Sequence, residues 1–405
     1  MPAENPRELL EDGAARHARG DLAGAERRYR RVLALRPQDA NAHNLLGVLA
    51  RQRGDVTAAV AHTGRAVALQ PEAPVFLASH GAALAEAGRL TEAVRHLRAA
   101  LARRPADPVT LRNLGQALCG LGDAPAALGP LAQAVALDPQ APLPWLALAH
   151  ARREAGDAAG AAAAAEAALA RAQGHAEGDA AVAEQARFLL AALRGGAVPD
   201  RAPASYVRDL FDQFAPRFDA ELTGRLEYRT PELLAALLEE MGVARGLRVL
   251  DLGCGTGLSG VALAPFAARL EGLDLSPRML AEAGRRGLYQ ALHQADLLSF
   301  LPAHPAAYGL VAAVDVLNYL GDLAPALHAM ATALAPGGVA AFSVEAGEGV
   351  PFALGEGMRY RHDPAHVAQL AATAGLAVAA QRGAVLRQEK GAPVAGALFV
   401  LRATG

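Results

Sequence analysis

Arg248 to Gly257 read RVLDLGCGTG: Val249, Leu250 and Leu252 surround Asp251, and Gly253, Gly255 and Gly257 follow at alternate positions. Such a run predicts a buried strand turning sharply into a loop whose peptide groups lie open to a ligand, because no Cβ stands over them. Thr256 or Ser259 is placed to cap the helix that follows. A second apolar run, Arg269 to Leu275, carries Asp274, and 274 − 253 is 21 residues. In a βαβ unit that spacing sets a carboxylate beside the first loop, where it accepts two hydrogen bonds from a ribose. Together these residues predict a pocket for a nucleoside. The stretch Gly255-Thr256-Gly257-Leu258-Ser259-Gly260 also satisfies G-x-G-x-x-G, with Asp274 19 residues beyond its first glycine, so a dinucleotide stands as the rival ligand.

Asp251 separates the two. A carboxylate at the loop repels a pyrophosphate and attracts the ammonium of a methionine moiety, which favours S-adenosylmethionine. The run resembles the first motif of the class I S-adenosylmethionine-dependent methyltransferases, and Asp274 to Leu280 (DLSPRML) resembles their second. The resemblance implies that Asp274 holds the ribose hydroxyls and that Met279 packs on the adenine. It also implies that Asp296, in QADLL (Gln294 to Leu298), receives the adenine amino group. With Asp251, Gly253, Gly255 and Gly257, the residues Cys254, Leu275, Leu297 and Asp315 complete the expected cofactor-binding set. The resemblance spans residues 205 to 405 and implies an α/β Rossmann-like domain with a mostly parallel seven-stranded sheet.

Gly309 to Val316 reads as a further buried strand, and ligands of open α/β sheets sit beyond the carboxyl ends of strands. Asp315, Asn318 and Tyr319 are therefore expected at the methyl-transfer site. Methyltransferases of planar amides and exocyclic amines carry an Asn or Asp, two prolines and an aromatic here. That pattern is absent, which argues against those acceptors. Tyr319, Glu345, Tyr360 and His362 are candidates for orienting or deprotonating an acceptor; Tyr319 and His362 are the catalytic candidates carried forward, and His362 titrates nearest neutrality. His362 and His366 stand four apart, but neither a third ligand nor a catalytic acid accompanies them, so no metal is expected. Ser205 to Phe218 puts Tyr206, Leu210, Phe211, Phe214 and Phe218 on one helical stripe, either a lid over the cofactor or a helix packed on the sheet edge.

The elements upstream repeat. Pro37, Pro71, Pro105 and Pro139 recur every 34 residues, as do Gly20 to Gly156, Gly13 to Gly115 and Ala25 to Ala161. Each unit reads as two helices: a glycine ends the first, a small alanine lets the second approach, and a proline stops the second. Such pairs bury their apolar faces only by stacking. They resemble tetratricopeptide repeats, about five from Pro6 to Gln173, with Trp145 in the core of the fifth. The expected domains are thus an all-α tetratricopeptide solenoid over 1–175, a capping helix (Ala180 to Leu193) and linker (Gly195 to Pro203) within 176–204, and the methyltransferase domain over 205–405. The whole pattern resembles a bacterial family of predicted methyltransferases carrying tetratricopeptide repeats, whose acceptor is not established. The resemblance leaves a small-molecule acceptor, a protein or peptide docked on the concave face of the repeats, and a scaffold whose cofactor domain is not catalytic.

Composition bounds the rest. The 405 residues are 52 % hydrophobic with a formal charge of −2, enough for two cores and without the basic excess of a phosphate-backbone binder. No nucleic acid is expected as partner. Cys119 and Cys254 form no CxxC pair, so neither a disulfide framework nor a thiolate site is built. The charged amino terminus lacks a signal peptide's apolar core, and no uncharged run supplies an unbroken apolar helix of about 20 residues. A soluble, cytoplasmic protein is expected. A single lysine, Lys390, among abundant arginine and alanine matches a GC-rich bacterial genome.

Overall fold

The 34-residue period of the sequence becomes a period of helices. In the computed structural model, first helices begin at Pro6, Ala40, Pro74, Pro108 and Pro142, and second helices at Leu22, Val56, Leu90, Ala124 and Ala158. The residues described are 4–172, 179–195, 198–355, 357–389 and 391–404, so Gln173, the expected end of the array, lies outside them. Gly20, Gly54, Gly88, Gly122 and Gly156 all hold φ between 73° and 85°, the left-handed position that ends a helix. Close approach is made by the first helix as well as by the buried alanines of the second. A Cβ on Gly13, Gly47, Gly81 or Gly115 would stand 2.4–2.6 Å from the side chain of Tyr29, Thr63, Leu97 or Leu131. Asp21, Asp55, Asp123 and Asp157 cap the second helices through the N–H three residues on; Arg89 replaces the aspartate in the third unit and makes no such bond.

Two compact units divide the chain, Met1–Val182 and Ala183–Gly405. The division falls inside the helix Asp179–Arg194, which was expected to cap the repeats. Within the second unit its Phe188 ring lies 5.4 Å from that of Tyr206 and 6.2 Å from that of Tyr360, and Gln185 Nε2 donates to Ser205 Oγ and Asp209 Oδ2. The expected linker also differs. Residues 196 and 197 are not described, but from Pro199 onward the segment is bonded rather than free. Pro199 O accepts from the Tyr360 hydroxyl at 2.6 Å. Asp200 O accepts from the N–H groups of Gly321 and Asp322, and Ala202 N donates to Tyr319 O. Prolines stop helix, but extended backbone can still pair with a distant edge, and that pairing leaves no local periodicity to read.

The second unit is a sheet with strands β1 (Leu247–Leu252), β2 (Ala267–Asp274), β3 (Ala291–Gln294), β4 (Tyr308–Ala313), β5 (Leu334–Ala346), β6 (Phe352–Leu354), β7 (Tyr360–His362), β8 (Leu376–Glu389) and β9 (Ala392–Ala403). Strands β3-β2-β1-β4-β5 run parallel, β9 lies antiparallel on β5, and β8 lies antiparallel on β9. These are the seven strands expected. Two more join because β5 outruns β4: Glu345 and Ala346 pair with Arg361 and His362 of β7, and β6 pairs with β7. Side chains alternate across the sheet, Leu250, Leu252, Val311 and Phe342 entering one core and Val249, Leu310, Ala312 and Ala341 the other. Strand order reverses between β1 and β4, which opens a crevice at their carboxyl ends. Among the described residues no helix is long and apolar enough to cross a membrane.

Candidate active site

The loop after β1 is built on left-handed backbone, with φ of 57° at Gly253 and 54° at Gly255. A Cβ at Gly253 would also stand 2.4 Å from Val316 Cγ2, so conformation and space both exclude a side chain there. Asp274 ends β2 beside this loop. Its Oδ2 accepts from Gly255 N at 2.9 Å and its Oδ1 from Ser276 N at 2.8 Å. Burial pushes its carboxyl up to about 6, against the pull of the N–H groups of Ser276, Gly255 and Leu275. The following helix is not capped by Thr256 or Ser259. Its cap is Gly257, while Thr256 Oγ1 donates to Asp219 and Ser259 Oγ to Asp251.

A cavity of about 370 Å³ opens over this loop. Gly253, Gly255, Asp274, Leu275, Asp296 and Leu297 line one end; Val207, Leu210, Phe211, Phe214 and Phe218 cover it. The helix Ala204–Phe214 and the residues after it therefore form the lid, the first of the two readings of that stripe. It is fastened to the segments that follow β1 and β2. Asp212 Oδ1 accepts from Ser276 Oγ, Asp212 O from Arg278 Nη1, and Asp219 from Thr256 Oγ1 and the Arg286 guanidinium. Phe211 meets Tyr319 edge-on, ring centroids 5.5 Å apart.

The other end of the cavity is charged. Asp315, Tyr319, Arg359, Arg387 and Glu389 line it. Asp315 sits at φ 57°, rare for a residue with a side chain, and is held there by Ser343: Asp315 N donates to Ser343 Oγ at 2.8 Å, and that hydroxyl donates to Asp315 Oδ1 at 3.1 Å. Arg387 joins Asp315 to Glu345, and Arg359 joins Glu345 to Glu389. Burial raises the Asp315 carboxyl against the attraction of Arg387. Glu345 is also raised by burial, but Arg387 and Arg359 overcome this and leave it below its usual range. Burial raises the Tyr319 phenol, with Arg359 opposing, so it stays protonated.

Of the residues expected at the site, Gly253, Gly255, Asp274, Leu275, Asp296, Leu297, Asp315 and Tyr319 are on the cavity wall. Asp251, Cys254, Gly257, Met279 and His362 are not. Asp251 is fully buried inside the ladder, opposite Gly272 and Ala312, because β1 runs one residue further. Its Oδ2 accepts from Ser259 Oγ and Tyr289 Oη, both at 2.7 Å, and its Oδ1 has no partner. Burial drives this carboxyl up to about 7, and it stands behind the loop, off the cavity wall. Met279 is buried with its N–H on Ser276 Oγ, and Leu275 and Leu297 supply the apolar wall instead. His362 points the wrong way for a base. Its Nε2 is 2.8 Å from Leu320 O and 3.1 Å from Gly321 O, so that nitrogen carries the proton; Nδ1 is buried without a partner. Burial lowers its basicity. Sequence reasoning missed Arg201, Tyr228, Arg359 and Arg387 on the wall and Tyr289 behind it; only Arg359 stands in a stretch that the resemblance singles out, Arg359 to His362, and there the histidine drew the reading.

Residues 249–338 match the profile of a methyltransferase domain, and 14–74 and 79–142 that of the tetratricopeptide repeat. Over 140 residues the chain is 34 % identical to a ubiquinone biosynthesis O-methyltransferase of Sodalis glossinidius, covering 33 % of this chain and 56 % of that protein. Over 107 residues it is 48 % identical to a trans-aconitate 2-methyltransferase of Methylobacterium nodulans, covering 26 % and 40 % respectively. The chain thus spans about half the length of these relatives. An S-adenosylmethionine-dependent methyltransferase of Mesorhizobium loti matches in structure with a TM-score of 0.34 and 23 % identity, over 41 % of this chain and 96 % of that one. The chain joins tetratricopeptide repeats to a domain of the methyltransferase family.

Proposed function

We propose that the second unit transfers a methyl group from S-adenosylmethionine to an acceptor held in the same cavity. One observation carries the reading: Asp274, on the cavity wall at the end of β2, is anchored to a glycine loop whose backbone admits no side chain at Gly253. That geometry suits a ribose against the Asp274 carboxylate and a nucleoside along Leu275 and Leu297, with Asp296 placed for the base. When bound, the cofactor supplies the methyl group on a positively charged sulfur. The chain's own task is then alignment and exclusion of water. Phe211, Phe214 and Phe218 cover the cavity, and such positioning alone can account for roughly 7 kcal/mol or more of a barrier.

At the acceptor end the protonated Tyr319 hydroxyl and the Arg359 guanidinium are placed to orient an oxygen or nitrogen nucleophile, with Asp315 and Glu389 as carboxylates on the same wall. His362 takes no part in this scheme. Two relatives are named for methylation of small molecules, which supports a small-molecule acceptor. The repeats support a second possibility, an acceptor protein or partner docked on them. Incubating the full-length protein with methyl-labelled S-adenosylmethionine and cell extract tests both: label in a small-molecule fraction supports the first, label in protein the second. No turnover, together with no binding of cofactor by calorimetry, rejects the proposal.

A further inference from the structure

Asp296 is already engaged. Its Oδ1 accepts from Leu298 N at 2.9 Å, and its Oδ2 is paired with the guanidinium of Arg201. Arg201 belongs to the segment that sequence reads as linker, and the backbone on both sides of it is fixed. Asp200 O takes the N–H groups of Gly321 and Asp322 at 2.7 and 3.0 Å, Ala202 N donates to Tyr319 O at 2.8 Å, and Arg201 forms an antiparallel bridge with Leu320. In the sheet β2 and β1 separate β3 from β4. Arg201 is thus rooted on the loop after β4 and reaches the second residue after β3, and both it and Asp296 line the cavity.

We propose that Arg201 is a positioning residue for the cofactor's base, acting through Asp296; the inference rests on the S-adenosylmethionine reading above. A carboxylate held only by the Leu298 N–H can still turn about its side-chain bonds. The Arg201 pair fixes the second oxygen, and each carboxylate oxygen accepts two hydrogen bonds, so each Asp296 oxygen keeps one acceptor site and an amino group in the cavity can take one of them. The pair also supplies a counter-charge when a base covers Asp296 and excludes water, where an unpaired carboxylate would be costly to bury. Binding therefore meets an acceptor that is already oriented.

Calorimetric titration of the full-length protein with S-adenosylhomocysteine tests this, alongside thermal melts of each variant. Arg201→Ala and Asp296→Ala should each weaken binding about tenfold, the loss of one hydrogen bond to a charged group. The double variant should bind no more weakly than Asp296→Ala alone, because Arg201 has nothing left to position. Arg201→Lys, which keeps the charge and loses the planar fork, should recover part of the affinity. Should Arg201→Ala melt early, Arg201→Gln takes its place with the same expected outcomes. Unchanged or tighter binding by the Arg201 variant overturns the proposal, and so does a loss in the double variant that adds to that of Asp296→Ala. A wild-type chain that does not bind S-adenosylhomocysteine overturns the cofactor reading itself and this inference with it.

Discussion

Asp251→Asn should change how stability depends on pH, and the structure fixes the sign. The Asp251 carboxyl, ordinarily near 3.8, is driven up to about 7 by burial, against the hydrogen bonds from Tyr289 and Ser259. A carboxyl raised in the folded chain contributes stability in full below the unfolded value. As pH rises past 3.8 the unfolded chain ionises first, and the contribution is lost progressively until pH passes about 7, where the curve flattens. The gap between the two values corresponds to a ceiling of roughly 4 kcal/mol. Asparagine has no such titration and keeps an acceptor for Ser259 and Tyr289, so the variant should gain on the wild type between pH 4 and 7. At about 2 °C per kcal/mol for a unit of this size, the ceiling is about 8 °C in the second unit's melting transition. Differential scanning calorimetry of the ligand-free protein across pH 4.5–8 measures it. A difference between the two melting temperatures that does not vary with pH would refute the account of Asp251 as a buried, largely neutral carboxyl.

Asp274→Ala should weaken S-adenosylhomocysteine binding by roughly 1.5 to 3 kcal/mol, through the loss of a carboxylate acceptor; unchanged affinity by calorimetry sinks the ribose assignment. His362→Ala should lower stability by about 1–3 kcal/mol, since it strips the carbonyls of Leu320 and Gly321 of their imidazole donor. It should leave the pH–rate profile unchanged, and disappearance of an ionisation would return His362 to the chemistry. Gly253→Ala should abolish cofactor binding without unfolding the repeats, because the new Cβ meets Val316 at 2.4 Å on a backbone at φ 57°. Wild-type affinity in that variant would show the loop is not the cofactor's seat. A fragment beginning at residue 179 should bind S-adenosylhomocysteine more tightly than one beginning at residue 205, which lacks Arg201 and the helix carrying Phe188; equal affinities would show that residues 179–204 contribute nothing.

What was legible in the sequence was local or periodic. The repeats announce themselves because the same contact recurs every 34 residues, and the Asp274 site because a strand, a glycine loop and a second strand lie in one short βαβ stretch. Asp251 was misplaced by a single step of strand geometry. Read as the last residue of β1 it faces the ligand; with Leu252 continuing the ladder it belongs to the interior, where Ser259 and Tyr289 reach it. His362 misled for a related reason. Its type suits a base, but β7 docks on the end of β5 and turns the imidazole toward the backbone of Leu320 and Gly321. Nothing short of the tertiary fold brings Arg387 to Asp315, or Arg201 to Asp296.

These long-range pairs have one feature in common: each brings an arginine from the margin of the sheet to a carboxylate near its carboxyl edge. Arg201 comes from the segment ahead of the helix Ala204–Phe214, Arg359 from the turn ahead of β7, and Arg387 from β8. The glycine loop and Asp274, the proposed nucleoside seat, lie within one βαβ stretch of the sequence. The acceptor end instead depends on Asp315 being held at φ 57° by Ser343 and Arg387, and on Glu345 being kept ionised by two guanidiniums despite its burial. Loss of Arg387 from such an end leaves Asp315 a buried carboxylate without its guanidinium. Changing the proposed acceptor end of this scaffold therefore requires replacing Asp315 and Arg387 together, whereas Glu345 stands between two guanidiniums that each keep a second carboxylate, Asp315 for Arg387 and Glu389 for Arg359.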